Sequence, residues 1–315
     1  MERRNEQTID FETGKRVVVM TGGTAGLGAH ALNYLATQSD MKMIVGARGS
    51  GRTVPSGVEV LPLDLASLAS VRAFAEMVKR WLGTIRIDML ILNAGMQYGN
   101  NERKSEDGYE LTFAVNHLAH YLLVRLLLPC MADYGRVVIT TSDTHDPAIA
   151  PIAPKELALQ ELAHPTKTGF GTGIRAYAAS KLCNLMTAQY LSKLKEVADH
   201  HLTIIAFNPG FTGGTSLGRD SSPFSRMIVT VLIHTVFRLV GLFRPEYVMG
   251  KPDRAGKALA EIAMGDITPP EGRMYVSLVR SKATWPDPSA LAQDGDAQEM
   301  LWRESEWMVG IKKEV

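Results

Sequence analysis

Tyr177 and Lys181 stand four residues apart in Arg175-Ala176-Tyr177-Ala178-Ala179-Ser180-Lys181-Leu182-Cys183-Asn184, a run of good helix formers with no Pro or Gly until Pro209. On a helix that spacing puts both side chains on one face, one turn apart. A phenol that ionises near pH ~10 is by itself a poor acid or base at neutral pH. An ammonium roughly 5 Å from the phenol oxygen, at an effective dielectric of about 20, favours the phenolate by about 3 kcal/mol. That is roughly two pKa units, so the expectation is a tyrosine of depressed pKa working as a general acid or base. An exposed Tyr and Lys on an ordinary helix share the same spacing. The pair gains meaning only from its company.

A second group of residues could hold phosphate. The apolar run Arg16-Val17-Val18-Val19-Met20 ends in Thr21-Gly22-Gly23-Thr24-Ala25-Gly26-Leu27-Gly28, and a helical stretch, Ala29 to Thr37, follows. Strand, glycine-rich turn and helix aim backbone N–H groups and a helix N-terminus at a phosphate. Gly22 permits the tight turn, Gly26 lets backbone approach a pyrophosphate, and Gly28 lets the helix pack close to the strand. The spacing T-G-x-x-x-G-x-G differs from the G-x-G-x-x-G fingerprint, and one glycine pattern alone also fits a structural loop.

The second strand, Met41 to Ala47, runs into Arg48, where a dinucleotide fold commonly places the carboxylate that holds the ribose 2′-hydroxyl of NAD. A guanidinium there suits the 2′-phosphate of NADP instead. Gly49 to Gly57 is too rich in Gly and Pro for a helix, so the usual crossover helix is expected to be missing. That short loop should bring Arg52 or Ser50 near the 2′-phosphate, unless Arg52 is simply solvated.

The remaining elements must position these groups. Val58 to Leu63 reads as a third strand ending in Asp64-Leu65. Ser67 caps a helix to about Leu82, with Leu68, Val71, Phe74, Ala75 and Val78 at helical spacing. Asp88 to Leu92 is a fourth strand closed by Asn93-Ala94-Gly95, and Glu106 to Leu128 a long helix carrying Asn116. Gly135 to Thr140 is a fifth strand, with Thr141-Ser142 at its end. The helix Tyr177 to Val197 leads to a sixth strand, Leu202 to Phe207, then Asn208-Pro209-Gly210. Two more helices, Arg254 to Ala263 and Gln298 to Val309, flank a last strand, Met274 to Ser277.

Alternating strands and helices define an α/β fold, a Rossmann-like doubly wound parallel sheet in a single domain. Its ligands bind at the C-terminal ends of the strands, where every polar cluster above falls. A polar tail, 1–14, precedes a domain spanning 15–315. The apolar stretch 222–243 is broken by Arg226, His234 and Arg238 and is a poor spanning helix. A substrate lid, about 212–250, is the expectation, ahead of a membrane-surface helix or a buried packing helix.

With 45% hydrophobic and 21% charged residues the chain can bury an ample core, and a net charge of +1 gives no electrostatic case for nucleic acid. Cys130 and Cys183 form no metal-type spacing and suit a reducing, cytoplasmic setting. His117 and His120 lie three apart without a carboxylate or cysteine to complete a metal set, so they are expected to pack between helices. Cys183 reads as a buried structural thiol, with substrate contact as the alternative. The polar, mixed-charge first fifteen residues resemble neither a signal peptide nor a membrane anchor.

Taken in order, Thr21-Gly22 to Gly28, Asn93-Ala94-Gly95, Asn116, Ser142 and Tyr177 to Lys181 resemble the short-chain dehydrogenase/reductase family from about residue 15 onward. Asp64-Leu65-Ala66-Ser67-Leu68, Val115 to His120, Ser180 to Asn184 and the tail Leu301-Trp302-Arg303-Glu304-Ser305-Glu306 look like its retinol dehydrogenase and light-dependent protochlorophyllide reductase branch. The chain departs from common family choices at Thr141, where Ser is frequent. The long gap from Ser142 to Tyr177 implies an inserted substrate loop. Gly95 stands where protochlorophyllide reductases usually carry Ala, which argues against photochemistry.

The resemblance implies an enzyme using NADPH/NADP+ with Asn116, Ser142, Tyr177 and Lys181 as the catalytic set. Tyr177 exchanges a proton with the substrate oxygen. Lys181 holds the nicotinamide ribose, Ser142 donates to the developing oxyanion, and Asn116 holds a relay water. Gly22, Thr24, Ala25, Gly26, Leu27 and Gly28 take the phosphates, and Arg48 the 2′-phosphate. Asp64 and Leu65 meet the adenine, Asn93, Ala94 and Gly95 the adenosine ribose, and Pro209, Gly210 and Thr212 the nicotinamide. The expected reaction is hydride transfer to a carbonyl, or from an alcohol, of a lipophilic small molecule. C=C reduction of a tetrapyrrole-like pigment and non-catalytic dinucleotide sensing are the alternatives. Peripheral membrane contact and a homodimer fit the same resemblance.

Overall fold

Seven short apolar runs lie parallel because each is followed by a connection that carries the chain back across the sheet. The structure, a computed structural model, describes residues 14–49, 51–169, 171–213 and 244–311. The elements in order are β1 (Arg16–Thr21), α1 (Gly26–Ala36), β2 (Met41–Ala47), β3 (Val58–Pro62), α2 (Leu68–Leu82), β4 (Ile87–Leu92), and the long helix α3 (Leu111–Cys130). After these come β5 (Met131–Thr140), α4 (Thr172–Leu191), β6 (Thr203–Asn208), α5 (Pro252–Met264), β7 (Tyr275–Val279), β8 (Lys282–Thr284) and α6 (Gly295–Met308). The sheet has eight strands in the order β3-β2-β1-β4-β5-β6-β7-β8, with only β8 antiparallel. This is the doubly wound Rossmann-like sheet expected. The reversal of strand order between β1 and β4 opens the crevice that such sheets use for ligands.

Along β1, Val17 and Val19 enter the core beneath α2, α3, α4 and α6, while Val18 and Met20 enter the one beneath α1 and α5. A strand covered on both faces is apolar throughout for this reason. No helix stands between β2 and β3, which pair in parallel across the ten residues 48–57, as the Gly and Pro content of that loop requires.

Three boundaries differ from expectation. α3 begins at Leu111 rather than Glu106, because the Glu110 carboxylate caps it, accepting from Phe113 N–H at 2.6 Å. Inside α3 the segment Ala114–Leu118 is wound as a π-helix. α4 starts at Thr172 and stops at Leu191, with a separate short helix at Lys195–Asp199, and the hairpin to β8 carries no sequence signal that the apolar pattern offered. Of the lid expected at about 212–250, residues 214–243 lie outside the described residues, as do the polar tail to residue 13 and Ser50.

Among the described residues one helix, Leu111–Cys130, is long and apolar enough to cross a membrane by length and composition. It lies within the core, with 83% of its apolar window buried. Its histidines are packing residues, as expected. His117 Nε2 meets Ser305 Oγ at 2.8 Å and His120 Nε2 meets Thr21 Oγ1 at 2.9 Å. Thr21 Oγ1 already accepts from the N–H groups of Asn93 and Ala94, both at 3.1 Å, so its single proton goes to His120 Nε2. His120 is then the Nδ1–H tautomer and donates to Asn116 O at 3.0 Å.

Burial pulls His117 down to about 3 and His120 down to about 4. Both stay neutral in the fold below pH 6.5 while the unfolded chain takes up protons, so stability falls as pH drops through that range. Between pH 7 and 5 the native chain should lose about 2 kcal/mol more than His117→Gln, read from urea unfolding. Equal losses in the two proteins would show that His117 is not buried neutral.

Candidate active site

The strand tips of β1, β4 and β5 are tied into one rim. Asn93 donates to Gly22 O at 3.2 Å and accepts from the Thr140 hydroxyl at 3.1 Å, so its amide is spent on holding the rim together. An added Cβ at Gly28 would sit 2.0 Å from Gly22 O, and one at Gly22, where φ is +69°, would sit 2.7 Å from Ala94 Cα. Only glycine fits these two positions. Gly26, at φ +57°, has open space beyond it. The N-terminus of α1 carries no side-chain cap, so its first N–H groups are left for a ligand in the cleft.

That cleft has a volume of about 520 Å³ and runs along the C-terminal ends of the strands. Gly22, Thr24, Ala25, Gly26, Leu27 and Gly28 line its phosphate end, with Arg48 and Arg52 at the tip of β2. Arg52 Nε donates to Arg48 O at 2.9 Å, so the loop does fold the second arginine onto the first. Asn93, Ala94, Gly95, Tyr177, Lys181 and Pro209 line the rest. Leu65 lines it too, with Leu63, but Asp64 does not. Its Oδ1 accepts from Ala66 N–H at 3.0 Å, a local turn that spends one carboxylate oxygen on backbone. Gly210 and Thr212 stand outside the lining as well. The Thr212 hydroxyl donates to Pro209 O at 2.9 Å and fixes the turn after β6.

Tyr177 is 9% exposed and Lys181 2%. The Lys181 Nζ lies 5.7 Å from the centroid of the Tyr177 ring and donates to Thr140 O at 3.1 Å. The geometry of one turn is as expected, but the electrostatics reverse. Burial pushes the Tyr177 phenol up to about 12, the hydrogen bond from Ser142 opposes that, and Asp143 adds to it. Burial likewise pulls Lys181 down to about 8. The spacing argument counted the attraction and left out the loss of water, which is the larger effect here. A phenol held near 12 is protonated at neutral pH and is suited to giving a proton.

Ser142 stands at the tip of β5, its Oγ donating to Asp143 Oδ1 and accepting from Thr144 N–H, both at 3.3 Å. Asn116 is fully buried in the π-wound turn. Its Nδ2 donates to Met96 O and Ser180 Oγ, both at 3.0 Å, and its Oδ1 accepts from Met96 N–H at 2.8 Å. The amide expected to hold a relay water has both of its donors engaged by protein and clamps the 95–96 turn beside Lys181. Cys183 is fully buried in the core, consistent with a structural thiol. Met96, Tyr98 and Arg103 also line the cleft and were not anticipated. The Arg103 guanidinium lies 4.4 Å from the centroid of the Tyr98 ring, a contact between loop residues that no periodicity marks.

A family model described as short chain dehydrogenase matches residues 16–150. A protochlorophyllide reductase of Avena sativa is 30% identical, with 94% of this chain and 100% of that protein covered. The polyprenol dehydrogenase of Danio rerio is 28% identical over 96% of this chain and 89% of its own length. A solved structure of an uncharacterized protein from Mycobacterium paratuberculosis, 26% identical, superimposes with a TM-score of 0.69 over 98% of each chain. With the sheet and cleft above, these place the chain in the short-chain dehydrogenase family as one of its oxidoreductases. Within the family it belongs to the retinol dehydrogenase and protochlorophyllide reductase branch.

Proposed function

We propose that the protein is an NADPH-dependent oxidoreductase that reduces a carbonyl, or oxidises the matching alcohol, of a lipophilic small molecule, with Tyr177 as general acid and base. The observation that carries this reading is the single cleft shared by the uncapped helix N-terminus, Arg48, Tyr177 and Lys181. The residues present fit a dinucleotide. The glycine cradle and α1 N-terminus would take the pyrophosphate, Arg48 with Arg52 the 2′-phosphate, and Lys181 the ribose beside Tyr177. When bound, the nicotinamide supplies or takes the hydride. Tyr177 gives its phenolic proton to the carbonyl oxygen as that oxygen becomes an alcohol, and regains one from solvent. Ser142 orients the oxygen by hydrogen bonding. The likeness to a polyprenol dehydrogenase supports an apolar alcohol or carbonyl as substrate. The domain from residue 15 onward, with a lid near 212–250, belongs to the same proposal.

Reduction of a C=C bond in a tetrapyrrole-like pigment is the second reading, favoured by the full-length likeness to a protochlorophyllide reductase. Against it, Gly95 faces Lys181, a Cβ there lying 3.3 Å from Nζ. The two separate in one experiment. NADPH consumption is followed in the dark with a panel of retinoid, polyprenoid, steroid and aromatic carbonyls, then under illumination with a protochlorophyllide-type pigment. Dark turnover of a carbonyl is expected. Turnover confined to illuminated pigment would replace the first reading by the second.

A further inference from the structure

The loop after β4 is irregular, yet it is pinned at two places. Asn116 takes both backbone groups of Met96, accepting from its N–H at 2.8 Å and donating to its O at 3.0 Å. Five residues on, Asn101 Nδ2 donates to Lys167 O at 3.0 Å, and its Oδ1 meets the Thr172 hydroxyl at 2.8 Å. Between these anchors the loop crosses α4 at Gly173, where an added Cβ would sit 2.1 Å from Tyr98 O. Glycine inside a helix is disfavoured against alanine, and here the missing side chain is what lets the loop approach. Gly173 stands one turn before Tyr177, about 6 Å along the helix axis. Tyr98 is thereby carried to the wall of the cleft beside the Tyr177 phenol. Its side chain lines the cleft, half-buried, and the Arg103 guanidinium lies over one face of the ring, 4.4 Å from the centroid.

Resting on the reading above, we propose that Tyr98 determines the substrate class. Its ring is a fixed platform on which a flat, conjugated carbonyl compound stacks, so aryl and polyenyl carbonyls are preferred to saturated ones of equal size. A cation over one face of an aromatic ring leaves the opposite face for a second planar group, and offset stacking adds to the burial of apolar area. The anchors at Met96 and Asn101 hold the backbone that carries the ring, so little order remains to be imposed when the substrate arrives. The same arrangement gives Asn116 its work in this protein, since its amide holds the loop that bears the platform. Adenine is the other planar group that suits the cleft. Arg48 and Arg52 mark the adenosine end, whereas Tyr98 is seated on the helix of Tyr177, which favours substrate over adenine.

The test uses 2-acetylnaphthalene and its decahydro analogue, which share a carbon skeleton but are flat and puckered respectively. The ratio of their kcat/KM values is measured at saturating NADPH in the native protein, Tyr98→Leu and Tyr98→Phe. Differences in intrinsic reactivity cancel, because the same pair is compared across variants. Tyr98→Leu should lower the flat-to-saturated ratio by about three- to tenfold, and Tyr98→Phe should keep it, since the ring remains. Calorimetric titration of the NADP+-loaded protein with the same two ketones reads the platform without turnover and should show the same selective loss in Tyr98→Leu. An unchanged ratio in both measurements overturns the proposal. So does an NADPH dissociation constant that rises as much as that of the flat ketone, which would give the ring to adenine. Failure of the oxidoreductase reading shows differently, as no turnover of either ketone by the native protein while the titration still registers the platform.

Discussion

Tyr177→Phe should lower kcat for carbonyl reduction by about 10²–10⁴-fold while leaving the dissociation constant of NADPH within about threefold. The ring fills its place beside Lys181 and the cleft, so only the hydroxyl is lost. The size of the effect follows from the pKa of the group. At neutral pH a phenol held at about 12 is almost wholly protonated, and its proton is the one a nascent alkoxide needs. Single-turnover reduction, measured after preloading with NADPH, separates this loss from any change in binding. A variant that still reduces the carbonyl at near native speed would remove Tyr177 from proton transfer and would revive a dinucleotide-binding role without its chemistry.

Arg48→Ala should weaken NADPH by about 10–100-fold and NADH by less than threefold, the range expected for a charge-assisted hydrogen bond to a doubly charged group. Arg48 is solvent-exposed and lines the cleft with Arg52, whose Nε donates to the Arg48 backbone carbonyl, so one loop carries both arginines to the same end of the cleft. Fluorescence titration with both cofactors decides the matter. Equal losses for NADPH and NADH would mean that Arg48 serves the general field of the cleft and does not read the 2′-phosphate. Raising ionic strength should narrow the gap between the cofactors in the native enzyme, because both partners are partly in water.

What could be read before any coordinates were the features that repeat along the chain or sit at fixed spacing. The glycines at 22, 26 and 28, the missing crossover after Arg48, the cap at Ser67 and the Tyr177–Lys181 pair each follow from local rules, and each is found as expected. The failures have one physical origin. Local spacing says nothing about what lies across the cleft or how dry a site is. The phenol was expected to be more acidic than usual and is less so, because its burial comes from segments far away in sequence. Asp64 points into its own turn, and Asn116 clamps Met96, a residue twenty positions earlier. Asp143, Tyr98 and Arg103 lie on irregular segments where no period exists to single them out.

α6 packs against both α3 and α4, Trp302 stacking on Tyr190 with ring centroids 4.8 Å apart. Ser305 meets His117 Nε2, Tyr121 donates to Trp302 O at 3.0 Å, and Arg125 pairs with Glu306 at 3.0 Å. These bonds reach back roughly 180 positions, to the segment that carries Asn116. Loss of the last helix would strip His117, the Tyr121 hydroxyl and the Arg125 guanidinium of these partners, so a chain cut short of residue 295 should be less stable at the very turn that carries Asn116.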